Sequence, residues 1–229
     1  MYATPSSAPL RLGLMAPLSG LVALYGPEIC WAARIACDEA NAAGGVLGRP
    51  LELVIEDDGS LPETALPAAE RLLDRHGCVA LIGNLLSNSR IAVAGQVAGP
   101  RRVPYLNFSF YEGSIDNRYF FHFAALPNQQ IDPMIPWMAR EIGPKMFFAG
   151  SNYEWPRGSI DAALRALCRY GGVGGGEGSL PSGCARVDVL VVRVNGLVPE
   201  QEWRSRYAAI RDFEAELAAN GVAIVKCLL

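Results

Sequence analysis

Four short stretches carry the side chains best suited to hold a ligand. They are Ser19 in "PLSG", Asn84, Ser87 and Ser89 in "GNLLSNS", Asn107, Ser109 and Tyr111 in "NFSFYEG", and Tyr153 and Trp155 in "GSNYEWPRG". Hydroxyls, amides and aromatic rings predominate, and charges are few. Such a set suits a small, neutral, polar ligand held by hydrogen bonds between aromatic walls. A free amino acid would also ask for one partner for its carboxylate and another for its ammonium. Taken singly, each residue also reads as an ordinary loop cap or turn residue, since Ser and Asn favour such positions. The same chemistry in four stretches argues for a site.

Hydrolytic chemistry finds little support. There is no G-x-S-x-G and no H-E-x-x-H, and His76 and His122 are the two histidines. Asp57 and Asp58 are adjacent carboxylates at a strand end, where they point apart and read as solvated loop acids. The cysteines Cys30, Cys37, Cys78, Cys168, Cys184 and Cys227 form no C-x-x-C pair. They read as buried structural thiols, with no metal and no cofactor implied.

The elements that must position the four stretches alternate. "LRLGLMA" reads as a buried strand, followed by a helix over 27–43 that Gly44 and Gly45 stop. "LELVIE" is a strand. "PETALPAAERLLDRHG" is a helix that Pro67 starts late or kinks. "CVALIG" is a strand, and "SNSRIAVAGQVAG" is a helix capped by Ser87 or Asn88. "VPYLNF" and "YFFHFA" are strands with no helix between them, which reads as a crossing between lobes. A helix in "NQQIDPMIPWMAREIG", a strand in "KMFFAG" and a helix in "PRGSIDAALRALCRYG" follow. This alternation predicts an α/β fold with parallel sheets and helices on both faces. All four candidate stretches then fall at the carboxyl ends of strands, where such sheets bind ligands.

The chain has 229 residues and a net charge of −3. That is enough chain for a sizeable core, and the charge leaves no electrostatic footprint for nucleic acid. Apolar runs are too short for membrane insertion. The first twenty residues lack a basic n-region followed by a long apolar core, so the chain as written is expected in the cytoplasm.

Several longer stretches resemble the type 1 periplasmic binding protein family: "NAAGGVLGRPLELVIEDDG", "NFSFYEG", "HFAALPNQQIDPMI" and "FFAGSNYEWPRGSIDA". The likeness runs over about 10–172 and is nearest to the amide and urea binders, which include an amide sensor controlling amidase expression and receptors of ABC importers. It implies two α/β lobes around a cleft that closes on the ligand, and a binding role for Ser87, Ser109, Tyr153 and Trp155. Leu85 and Asn107 stand where relatives can have a tyrosine. The resulting plan is a disordered N-terminus over 1–9, a first lobe over 10–118 and a partial second lobe over 119–170. A glycine-rich seam over 171–183 and a βαβ unit over 184–229 complete it. The seam, "GGVGGGEGSLPSG", holds seven glycines in thirteen residues and is expected to resist a fixed structure.

After the seam, "VDVLVVRV" reads as a strand. Trp203, Tyr207, Ile210, Phe213 and Leu217 recur at helical spacing, and "VAIVKCLL" is a second strand. This segment is similar to the middle of the second type of polyphosphate kinase. It has no G-x-x-x-x-G-K loop to hold phosphate.

Three functions follow as expectations. The first is non-enzymatic binding of a small neutral amide or urea between two lobes, weakened by the incomplete second lobe. Ser19, Ser87, Ser109, Tyr111, Tyr153 and Trp155 would be the ligand-binding residues. The partner would be an ABC permease or a regulatory protein. The second is a polyphosphate-dependent nucleotide phosphotransferase fragment. The third is a fusion product with neither activity.

Overall fold

β1 (Leu10–Ala16) is an interior strand of the first sheet, and its last three residues are almost wholly buried. The computed structural model describes residues 8–180 and three helical positions further on, Asp212, Ala215 and Ala219. The chain divides into two units, one ending at Ala125 and the other beginning at Leu126.

In the first unit β1 is followed by α1 (Gly26–Ala42), β2 (Leu51–Asp57), α2 (Pro62–Asp74) and β3 (Ala80–Ile82). Then come α3 (Ser87–Val93), which runs on through a π-helical segment, Ala94–Ala98, and a last turn, α4 (Gly99–Arg101). β4 (Tyr105–Asn107) and β5 (Phe120–His122) complete the unit. The sheet order is β2-β1-β3-β4-β5, and every pairing is parallel. Right-handed crossovers in that order put α1 on one face and α2 with α3 on the other. The second face holds the core: Met15, Ala65, Ala69, Leu72, Leu81, Val93, Ala94, Val97 and Tyr105. Gly13 lets α2 come close, since a Cβ there would lie 2.9 Å from Leu72 Cδ1. On the α1 face the register lines up Ile55, Leu14, Ile82, Leu106 and Phe121 in one row across all five strands.

The second unit comprises α5 (Pro127–Glu141), β6 (Lys145–Ser151), α6 (Glu154–Tyr170) and β7 (Val173–Leu180). β6 and β7 pair in parallel. Ile135, Ala139, Met146, Ala163, Ala166 and Leu167 form a separate core. The Gln129 side chain of the P-N-Q motif accepts the Leu126 N–H at 2.9 Å and so caps α5.

The alternating α/β plan with parallel sheets holds, and three expectations are corrected. "YFFHFA" does not open a second lobe. Phe120–His122 pairs with β4 as the fifth strand of the first sheet, and the Phe120 ring meets Tyr105 edge-on at 5.5 Å. The first unit therefore extends past 118. The glycine run is structured over Val173–Leu180, where it pairs with β6 along its length. Gly171 ends α6 at φ 83°, and a Cβ on Gly172 would collide with Leu167, so these two glycines serve local geometry. Pro67 does not delay α2, which begins at Pro62 and continues through it. The expectation of disorder over 1–9 falls on residues that, over 1–7, lie outside the described ones, while Leu10 already opens β1. The βαβ unit over 184–229 lies outside them except for the three helical positions.

Candidate functional site

The carboxyl edge of the first sheet is built around two residues that each organise a loop. At the β2 end, Asp57 Oδ1 accepts the N–H groups of Leu18 (2.9 Å), Ser19 (3.1 Å) and Gly59 (2.9 Å), and Oδ2 accepts the Ser19 hydroxyl at 2.6 Å. Burial pulls the Asp57 pKa upward, but these four donors outweigh it and hold the carboxyl below its ordinary value. Ser19 is exposed, with its hydroxyl committed to Asp57. Asp58 points the other way and is 1% exposed. It accepts from Asn84 Nδ2 at 2.8 Å and from the Ser60 N–H at 2.9 Å, and burial raises its pKa. The two acids do point apart, but neither is an ordinary solvated loop acid. Asn84, in turn, accepts the Tyr105 hydroxyl at 2.6 Å beneath the edge.

At the β3 and β4 ends the organiser is Arg90, a fully buried side chain on α3. Its guanidinium donates to the carbonyls of Leu85 (2.9 Å), Phe110 (3.1 Å) and Asn84 (3.4 Å). Its Cζ lies 5.5 Å from the centroid of the Tyr111 ring. Arg90 thus ties the loop after β3 to the loop after β4. Tyr111 is packed inward, with Phe120 at 5.4 Å and His122 at 5.1 Å from its ring. Its hydroxyl takes the Ile115 N–H, and burial pushes its pKa up.

The structure brings Ser87 and Ser109 to this pair of loops. Ser87 does not cap α3 through its side chain; its hydroxyl donates to Glu112 Oε2 at 2.8 Å. Glu112 Oε1 accepts the Ser114 hydroxyl at 3.0 Å. Ser109 is half-buried, and its hydroxyl reaches the Leu85 carbonyl at 3.3 Å. Asn107 holds it in place: Oδ1 accepts the Ser109 N–H at 3.0 Å and Nδ2 donates to the Ser109 carbonyl at 2.8 Å. Ser89 is buried, and its hydroxyl has no partner among the described residues. Tyr153 and Trp155 belong to the second unit, at the start of α6. Glu112 and Arg90 are the residues that sequence reasoning passed over. The signal for Glu112 stood in the Y-E-G motif itself.

Hydroxyl, carbonyl and carboxylate groups, all of them able to hydrogen-bond, thus gather at the loops after β3 and β4. Among the described residues no group of His, Cys, Asp and Glu has the geometry to hold a metal, and no helix is long and apolar enough to cross a membrane.

The sequence pattern of the Periplasmic binding protein family matches residues 9–193. The chain belongs to that family. A second pattern, that of Polyphosphate kinase 2, matches residues 183–229. A Leu/Ile/Val-binding protein of Rhizobium johnstonii is 34% identical over 97 residues, which are 42% of this chain and 26% of that protein. Leu/Ile/Val-binding protein homolog 8 of Brucella abortus is 29% identical over 161 residues, 66% of this chain and 39% of the relative. A solved periplasmic binding protein of Burkholderia mallei superposes with a TM-score of 0.74 at 20% identity, covering 96% of this chain and 61% of its own. The chain thus spans well under half the length of these curated relatives.

Proposed function

We propose that this chain is a non-enzymatic binding module for a small α-amino acid with an apolar side chain, held at the carboxyl edge of the first sheet. The observation that carries this reading is the Ser87–Glu112 pair. It puts a carboxylate, the partner an ammonium requires, at an edge that reads as neutral in sequence. The names of the Leu/Ile/Val-binding relatives support the same ligand class. Ser109 contributes a hydroxyl from the neighbouring loop. In the family's setting the bound molecule would be delivered to an ABC permease, and the working protein would then act in the periplasm rather than in the cytoplasm.

Calorimetric titration with L-leucine, L-isoleucine, L-valine, acetamide and urea tests the proposal. An amino acid should bind, and Glu112→Gln should weaken it by about 1.5–3 kcal/mol, the range of a hydrogen bond to a charged group. Ser109→Ala should cost about 0.5–1.5 kcal/mol. Binding of leucine that ignores both Glu112→Gln and Ser109→Ala would place the site elsewhere.

A short amide or urea is the second reading, favoured by the Y-E-G, P-N-Q and G-S-x-Y-x-W-P-R motifs. It predicts the opposite pattern: acetamide or urea binds, leucine does not, and Glu112→Gln is nearly silent. Phosphotransfer by the tail is not expected, because that chemistry rests on a phosphate-cradling loop, a lysine and metal ions.

A further inference from the structure

His122 ends β5 beside Asn107, with its Nδ1 2.8 Å from Asn107 Nδ2. The Asn107 amide cannot be turned over without loss. Its Oδ1 accepts the Ser109 N–H and its Nδ2 donates to the Ser109 carbonyl, so a flip would set oxygen against oxygen and N–H against N–H. That fixes an N–H of Asn107 toward His122 Nδ1. The nitrogen must therefore be bare, and the ring neutral with its proton on Nε2. A proton on Nδ1 would face a donor. Of the charged and titratable groups around the ring, Arg90 on α3 opposes protonation. Glu112, on the loop after β4, favours it, and the Tyr111 ring lies tilted by 50° against the imidazole, with centroids 5.1 Å apart. The Ala124 and Ala125 backbone also favours the charged ring, but burial is the largest influence and the His122 pKa is lowered.

We propose that His122 is a positioning residue for the ligand edge: as a neutral imidazole it holds Asn107 in the orientation that clamps Ser109, and its protonation releases that clamp. This rests on the reading of Ser109 as a ligand contact. Its consequence is ligand release on acidification. Below the His122 pKa, affinity falls by up to roughly tenfold per pH unit, because the competent state shrinks in proportion to the neutral ring.

The coupling is tested first without ligand. In ¹⁵N-labelled protein the Asn107 side-chain amide and the Ser109 backbone amide should shift with pH along the curve of the His122 ring. Both should stay flat in His122→Gln, whose side-chain oxygen can still accept from Asn107. Titration of the ring without movement of either amide would overturn the proposal, and so would equal movement in the Gln variant. L-isoleucine affinity is then followed between pH 7.5 and 5. It should fall in the parent and hold steady in His122→Gln, while a parallel fall in both overturns the link to binding. If Ser109→Ala leaves isoleucine affinity untouched while the amides still follow the ring, the Ser109 reading fails and the clamp stands.

Discussion

Arg90 shows how much one side chain can settle in this fold. A guanidinium wholly out of water would be costly if its donors went unused, and here they end on carbonyls of two loops while its face lies on Tyr111. Arg90→Met should therefore lower stability by about 3 kcal/mol or more in a urea titration, because buried carbonyls lose their donors. Arg90→Lys should recover less than half of that, since one ammonium cannot span both loops. Asp58 makes the converse case. Asp58→Asn would turn an amide toward Asn84 Nδ2 or toward the Ser60 N–H, and should cost about 1–3 kcal/mol at neutral pH. In sequence an arginine inside "SNSRIAVAG" reads as an exposed helix position. An acid following a strand reads as solvated. Both were illegible because their partners are set by loops 20 or more residues away, as with Phe110 for Arg90 and Asn84 for Asp58.

Among the elements, the short apolar strands and amphipathic helices were legible because period and stop signals are local. β1, β2, α1 and α6 fall where "LRLGLMA", "LELVIE", the double glycine and Gly171 place them. β5 and β7 were not legible in the same way. Nothing local says which sheet a three-residue strand joins, and a segment such as "VGGGEGSL" has poor intrinsic strand preference. Its pairing with β6 overrides that preference. The close contact of β1 with α2 yields a direct test: Gly13→Val would push a side chain into Leu72 and should cost about 1–3 kcal/mol by overpacking. β2 and α2 are also joined by charge. Arg71 donates twice to Glu56 Oε2, at 3.0 and 2.8 Å, and this hydrogen bonding is the main reason that the Glu56 pKa lies below its ordinary value. A carboxyl whose folded pKa is depressed binds fewer protons than in the unfolded chain. Its contribution is therefore present above the ordinary carboxylate value and lost as pH falls through the folded one. Glu56→Gln should flatten the acid limb of a stability–pH curve, by under about 1 kcal/mol for so accessible a pair.

At the scale of the molecule, each unit has a hydrophobic core of its own. A fragment comprising residues 8–125 should therefore unfold as a single cooperative transition, and a broad, probe-dependent melt would contradict that. Broad-specificity proteolysis should spare 173–180 at early times, as a paired strand is not a ready substrate. The row on the α1 face of the first sheet has a further consequence. Along it, Leu14 is 1% exposed while Phe121, at the far strand, is 46% exposed, and Ile82 and Leu106 between them are half-buried. From β1 outward to β5 the sheet is thus a gradient of wettability, dry at Leu14 and greasy at its β5 margin. Light scattering should report concentration-dependent self-attraction that rises with kosmotropic salt, and Phe121→Lys should suppress it without moving the melting temperature.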